Sequence, residues 1–241
     1  MIAKYCYILA FLLPFALYSQ TQTQRLVDSS GGLVWSSVSN AIAQQITVSV
    51  RQGDTIFAAH DGLGVIFSTD DGRNWQRSGM TLPTQALTTN GSRLYAVANR
   101  TPYYSDNAGV SWIPAGYIDS AISYHYKITM VASGNNAAVL CTHFNYGGRG
   151  SYYSQLYVTQ NGGSVWKKRP ERFQRNNTMV FLGDILIATD IQSTTNLSYS
   201  LDVGKSWLPL PTFPEHILQL YTSGTKLYVI GISRKIFISS D

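Results

Sequence analysis

Ser68-Thr-Asp-Asp-Gly-Arg-Asn-Trp75 is the first of four octads that decide the fold. The others are Ser105-Asp-Asn-Ala-Gly-Val-Ser-Trp112, Thr159-Gln-Asn-Gly-Gly-Ser-Val-Trp166 and Ser200-Leu-Asp-Val-Gly-Lys-Ser-Trp207. They share Ser or Thr first, Asp or Asn third, Gly fifth and Trp eighth. A worn copy, Asp28 to Trp35, keeps Gly32 and the tryptophan, and a half copy ends the chain at Ser239-Ser-Asp241. The copies start at 28, 68, 105, 159, 200 and 239, so successive starts lie 40, 37, 54, 41 and 39 residues apart. All five tryptophans of the chain stand at the last position of a copy. A period of this length marks a repeat architecture.

The residue types suit a tight hairpin. Asp70, Asn107, Asn161 and Asp202 can accept backbone N–H bonds across a turn, as Asx-type turns do. Ser68, Ser105, Thr159 and Ser200 can add a second local bond. Gly72, Gly109, Gly163 and Gly204 suit a backbone position with positive φ. Trp75, Trp112, Trp166 and Trp207 can bury ~150–250 Å² each against a neighbouring element. These sixteen residues are expected to build the fold and not to do chemistry.

Outward from each octad the context repeats. Gly53-Asp-Thr-Ile-Phe-Ala-Ala59 then Val65-Ile-Phe67, and Gly224-Thr-Lys-Leu-Tyr-Val-Ile230 then Ile236-Phe-Ile238, both read as turn, apolar strand, loop, second strand. With an apolar stretch before each turn, such as Ile46 to Val50, the unit has four strands in ~40 residues, the blade of a propeller. The octads resemble the Asp-box, or BNR, repeat family. Its members include bacterial sialidases, sortilin-type receptors, xyloglucan-hydrolysing enzymes and photosystem II assembly factors. The resemblance implies an all-β propeller of four-stranded blades with Asp-box hairpins, about five of them present. It does not choose among activities, because the motif is shared by unrelated ones.

Two readings fit the ends. In the favoured one the propeller is incomplete at the C-terminus, since the last octad stops at its third position. In the other, a five-bladed ring closes by pairing Val34 to Val38 with Ile236 to Ile238, which would remove two exposed edges.

Lys4, the apolar run Tyr5 to Leu17 and the small Ser19 read as a secretory signal peptide over residues 1–19, leaving the propeller domain at 20–241. The apolar run is too short to span a bilayer, which takes about 20 residues. A secreted or periplasmic protein without a membrane span after cleavage is expected. Of the two cysteines, Cys6 lies in that leader, so Cys141 has no partner for a disulfide within the mature chain. Its apolar surroundings, Ala137 to Leu140, suit a buried thiol. The net charge is +5 and only 13% of residues are charged. The one basic cluster is Lys167, Lys168, Arg169, Arg172 and Arg175. It follows a strand, is interrupted by Pro170 and Glu171, and reads as a solvated edge. Nothing resembles a nucleic-acid module.

Octad hairpins lie at one end of a propeller, and the remaining loops lie at the other. In the resembling enzymes the site is at that other end. The unit ending at Trp166 is the longest, and Thr142 to Tyr153 reads as a long Gly-rich loop. Its His143, Phe144, Tyr146, Arg149, Tyr152 and Tyr153 offer stacking and hydrogen bonding to a glycan or peptide. Asp61 and Asp190 occupy matching loops in two units and are the candidates for the paired carboxylates of a glycosidase. A sialidase resemblance would bring an Arg-Ile-Pro motif, but the nearest string is Arg100-Thr-Pro102, and the chain has only Glu171 and Glu215 as glutamates. His60, His125, His143 and His216 show no metal-ligand spacing. No Gly-rich phosphate loop is present, and no metal or cofactor is expected. Sequons begin at Asn90, Asn176 and Asn196.

The expected function is a secreted, non-catalytic binding or scaffold propeller taking a glycan or peptide. The alternative is a sialidase- or xyloglucanase-like glycoside hydrolase using the loop carboxylates. An assembly-factor-like helper ranks third.

Overall fold

The computed structural model describes residues 46–116, 118, 125–145, 151–173, 178–189 and 195–239. The strands form in chain order and pair only with sequence neighbours, so every blade is an antiparallel meander. Blade 1 holds β1 (Ile46–Gln52), β2 (Thr55–His60), β3 (Gly64–Ser68) and β4 (Gln76–Arg77). Blade 2 holds β5 (Thr84–Thr89), β6 (Leu94–Ala98), β7 (Thr101–Ser105) and β8 (Ile113–Pro114). Blade 3 holds β9 (His125–Ser133), β10 (Asn136–Asn145), β11 (Ser151–Thr159) and β12 (Lys167–Phe173). Blade 4 holds β13 (Met179–Leu182), β14 (Ile185–Thr189), β15 (Leu197–Ser200) and β16 (Leu208–Pro209). Blade 5 holds β17 (Ile217–Ser223), β18 (Lys226–Gly231) and β19 (Ile236–Ile238). The first strands of successive blades adjoin in the order β1, β5, β9, β13, β17. This is an all-β, five-bladed propeller, with no helix among the described residues. Val34 to Val38, proposed from sequence as a closing strand, lie outside the described residues.

Burial explains why the second strands are apolar throughout. In the inner blades β6, β10 and β14 are covered on both faces by neighbouring blades, so residues of alternate parity feed two different cores. On β6, Leu94, Ala96 and Ala98 pack toward blade 1, while Tyr95 and Val97 pack toward blade 3. On β10, Ala137, Val139 and Cys141 join the core shared with blade 2, and Ala138 and Leu140 the core shared with blade 4. The Cys141 thiol is therefore buried packing material. Three of the octad tryptophans pack against these cores. Trp112 packs between blades 1 and 2, Trp166 between blades 2 and 3, and Trp207 between blades 3 and 4. The core between blades 4 and 5 is closed instead by an edge-to-face pair, Phe213 and Phe237, with ring centroids 4.7 Å apart.

Two expectations are corrected. Thr142 to Tyr153 is not one long loop, because β10 runs on to Asn145 and β11 begins at Ser151. The polar residues that suggested a loop are paired within the sheet. Thr142 and Ser154, both buried, share a hydroxyl–hydroxyl bond of 2.7 Å across the two strands. The basic cluster, in turn, does not follow a strand. Lys167, Lys168, Arg169 and Arg172 lie within β12, which accommodates Pro170 and Glu171 through a bulge opposite Leu156. A proline without an N–H is tolerated at such an edge bulge. Arg175 lies outside the described residues.

Candidate functional site

Turns at the two ends of the blades do different things. At one end the octads repeat the same geometry four times. The first-position hydroxyl donates to the third-position side chain, at 2.8 Å for Ser68–Asp70, 2.9 Å for Ser105–Asn107, 2.8 Å for Thr159–Asn161 and 2.8 Å for Ser200–Asp202. The same hydroxyl accepts the N–H of Gly72, Gly109, Gly163 and Gly204 at 2.8, 2.9, 3.0 and 2.6 Å. The third-position oxygen then accepts the N–H four residues on, from Asn74, Ser111, Val165 and Ser206, at 2.8 to 3.0 Å. These bonds hold the Asp70 carboxyl down to about 2, the Asn74 backbone N–H contributing most. Asp202 is held down as well, chiefly by the Ser206 N–H. The turn needs two consecutive residues with positive φ. Asp71, Ala108, Gly162 and Val203 are followed by the four octad glycines.

Octads also join blades. Their fourth- or fifth-position carbonyls receive donors from the blade before. The Gly79 N–H donates to Gly109 at 2.7 Å, the Arg93 guanidinium to Gly162, and buried Arg169 Nε to Val203 at 3.0 Å. The octad end is thus a structural belt.

At the other end the turns differ from blade to blade, and this loop end carries Asp61, His143, Phe144, Tyr152 and Tyr153 of the ligand-site and carboxylate candidates. In blade 1, His60 is buried and its Nδ1 accepts the N–H groups of Gly62 and Leu63 at 2.9 and 3.0 Å. That places the ring hydrogen on Nε2. Asp61 is exposed in the same turn and, among the described residues, makes no hydrogen bond or ion pair. Asp190 lies outside the described residues, so the structure does not bring the two carboxylates together. In blade 2, Asn99 and Arg100 form the β6–β7 turn with φ of 48° and 62°. Two such residues match the twist of a two-residue hairpin. In blade 5, Glu215 accepts both the N–H and the hydroxyl of Ser233, at 3.0 and 2.7 Å, and the hydroxyl bond is the main cause of its lowered pKa.

Blade 3 stands apart. β10 has ten residues and β11 nine, where their counterparts in the other blades have three to six. β12 has seven residues against two in β4, β8 and β16. All the added length lies at the loop end, because the octad ends are in common register. Four extra residues extend a strand by about 13 Å. The extension pairs Phe144 with Tyr152 and His143 with Tyr153. Tyr146 and Arg149 lie outside the described residues. His143 corrects the sequence reading: it is fully buried and, by strand parity, faces blade 2, so it does not present itself to a ligand at the surface.

Sequence reasoning missed one grouping. The histidines, far apart in the chain, all sit at the loop end. His60 ends β2, His125 opens β9 directly opposite His143 on β10, and His216 immediately precedes β17. The available signal was their common place in the repeat unit, beside the start of a first strand or the end of a second. Among the described residues no three His, Cys, Asp or Glu are arranged to hold a metal ion.

No protein-family model and no curated protein matches the chain. Solved structures do share its fold. An ancestral GH74 enzyme superposes with a TM-score of 0.55 at 18% identity, covering 82% of this chain and 29% of that one. The GH74 xyloglucanase from Xanthomonas campestris gives 0.52 at 14% identity, with 82% and 36% covered. A structure described as YCF48 bound to D1 peptide gives 0.50 at 16% identity, with 78% and 60% covered. This chain spans less than two thirds of each of them. At these identities the likeness is one of fold.

Proposed function

We propose that the protein is an exported, non-catalytic binding or scaffold propeller that takes an extended peptide at its loop end, with blade 3 as the wall of the site. The carrying observation is the lengthened β10–β11 hairpin, which sets one blade above four otherwise similar ones at the end where turns vary. A strand pair that runs past its partner residues on β9 and β12, with the aromatic residue types Phe144, Tyr152 and Tyr153 along it, suits main-chain bonding and stacking to an extended partner. The YCF48 structure, whose description names a bound peptide, supports this choice over a glycan. Among the described residues the carboxyls of Asp70, Asp202 and Glu215 commit their oxygens to hydrogen bonds within the fold, which argues against these three as acid or base.

The test is selection of a displayed random peptide library on the immobilised protein, followed by fluorescence anisotropy of the selected peptides. Binding weakened about tenfold or more by Tyr152→Ala, with an unchanged melting temperature, is the expected result. Turnover of xyloglucan or of a fluorogenic sialoside, abolished by Asp61→Asn, would overturn the proposal.

A further inference from the structure

The octad end carries one feature that loop-end binding does not use. Between blades 2 and 3 the β5–β6 and β9–β10 turns and the two neighbouring octads enclose an open cavity of about 360 Å³. Its lining is polar, and Arg93 is its centre. The Arg93 guanidinium forms a two-point pair with Asp106, Nε to Oδ1 at 2.5 Å and Nη2 to Oδ2 at 2.7 Å. It lies over the Tyr104 ring, 4.3 Å from the centroid, and donates through Nη1 to the Gly162 carbonyl. A Cβ on Gly162 would stand 2.5 Å from Nη1, so a larger residue there would displace the guanidinium.

This pairing sets what the cavity can hold. The Arg93 charge is cancelled by Asp106, which leaves little net field to attract a free ion. Unused hydrogen-bonding capacity remains. A guanidinium has five N–H groups, and those of Arg93 are not all taken by Asp106 and Gly162. Asp106 is exposed and keeps lone pairs. The Asn135 side chain, exposed in the β9–β10 turn, makes no hydrogen bond among the described residues, and the Asn161 Nδ2 donates none there. Both donors and acceptors are therefore left over around a cavity whose central charges are paired. Carboxamides offer one of each at adjacent atoms, the pattern needed to bind neighbouring hydroxyls on a sugar ring. The volume lies at the small end of the ligand-pocket range.

We infer that this cavity is a binding subsite for a neutral saccharide, held by Asn135, Asn161, Arg93 and Asp106 across the junction of blades 2 and 3. The polar lining and open mouth imply weak affinity, with a Kd on the order of 1–10 mM. The site is separate from the loop end and does not rest on peptide binding there.

Saturation-transfer difference NMR on the full protein tests the inference, with methyl α-glucoside, methyl β-galactoside and N-acetylglucosamine as probes and inorganic phosphate as a charged competitor. Saturation transfer from at least one sugar, reduced tenfold or more by Asn135→Ala and insensitive to phosphate, is expected. Among the described residues the hydrogen bond of Asn135 runs through its backbone carbonyl, which accepts the Gly162 N–H at 2.9 Å and is kept in the variant, so the fold and its melting temperature are expected to be unchanged. Tyr152→Ala should leave the signal intact. No transfer from any of the three sugars, transfer unchanged in Asn135→Ala, or a signal lost in Tyr152→Ala instead would each overturn the assignment.

Discussion

Replacing Gly204 by alanine separates two demands that its octad makes of the glycine. Gly204 has φ of +78°, and a Cβ there would lie 2.8 Å from Leu156 Cδ2 and 3.5 Å from the Trp207 ring. Leu156 is fully buried between blades 3 and 4, so its methyl has nowhere to retreat. Holding an L-residue in the left-handed region costs about 1–2 kcal/mol, and forcing a methyl into a packed core costs about 1–3 kcal/mol more. The expected loss is about 3 kcal/mol. Gly224 is the control. Its φ is +59°, but a Cβ there meets nothing within 4 Å, so Gly224→Ala should cost only the backbone share, about 1 kcal/mol. Urea denaturation of the two variants beside wild type reads the difference as a shift in midpoint at constant slope. Thermal melting should show the Gly204 variant lowered by about 6–12 °C. Equal losses in the two variants would refute the claim that the octad glycine is a packing contact between blades as well as a turn residue.

Acid should weaken the octads. The Asp70 carboxyl is pulled below its usual value by bonds present only in the folded chain, so its stabilising share is complete above about pH 4 and drains away as pH falls toward about 2. Denaturation midpoints measured from pH 5 to pH 2 should fall, and should fall less steeply in Asp70→Asn, whose side chain does not titrate. Asn90 offers a test between blades. Its Nδ2 donates to the Gly134 carbonyl of blade 3 at 2.7 Å, and its Oδ1 accepts the Arg93 N–H at 2.7 Å and the Ser92 N–H at 3.0 Å. Asn90→Ala should cost about 2–3 kcal/mol by urea titration. The same bonds occupy the side-chain amide of the Asn90 sequon, so mass spectrometry of protein folded before exposure to a glycosyltransferase should find Asn90 unmodified.

The architecture was legible because its signals are local. An octad closes its own turn with its own side chains, and the tryptophan at its end is rare enough for the period to stand out. Strand identity followed from the apolar runs, since second strands such as Leu94 to Ala98 are covered on both faces. The height of blade 3 was not legible. Thr142, His143 and Ser154 are polar and flank a glycine-rich stretch, which reads as a loop until cross-strand pairing supplies the Thr142–Ser154 bond. The staples between blades were equally hidden. Arg93 and Arg169 look like solvated charges in the sequence, because their acceptors are backbone carbonyls 69 and 34 residues away. Local pattern carries no information about such partners.

The octad belt also explains where variation can accumulate. A turn whose hydroxyl, carboxamide and backbone N–H groups are all mutually bonded has little capacity left for a ligand, and a substitution there breaks several bonds at once. Loop-end turns are under no shared constraint. One is capped by a histidine, one is a two-residue hairpin with Asn99 and Arg100, and one is tied by Glu215 to Ser233. Lengthening strands at that end leaves the octad register untouched, which is how blade 3 gains height while Trp166 keeps its place in the core beside blade 2. The cavity at Arg93 fits the same reasoning from the opposite side. It opens where two octads meet and their bonding leaves the Asn135 carboxamide and the Asn161 Nδ2 over, so binding capacity at the belt is confined to a junction between blades and does not lie within any one octad.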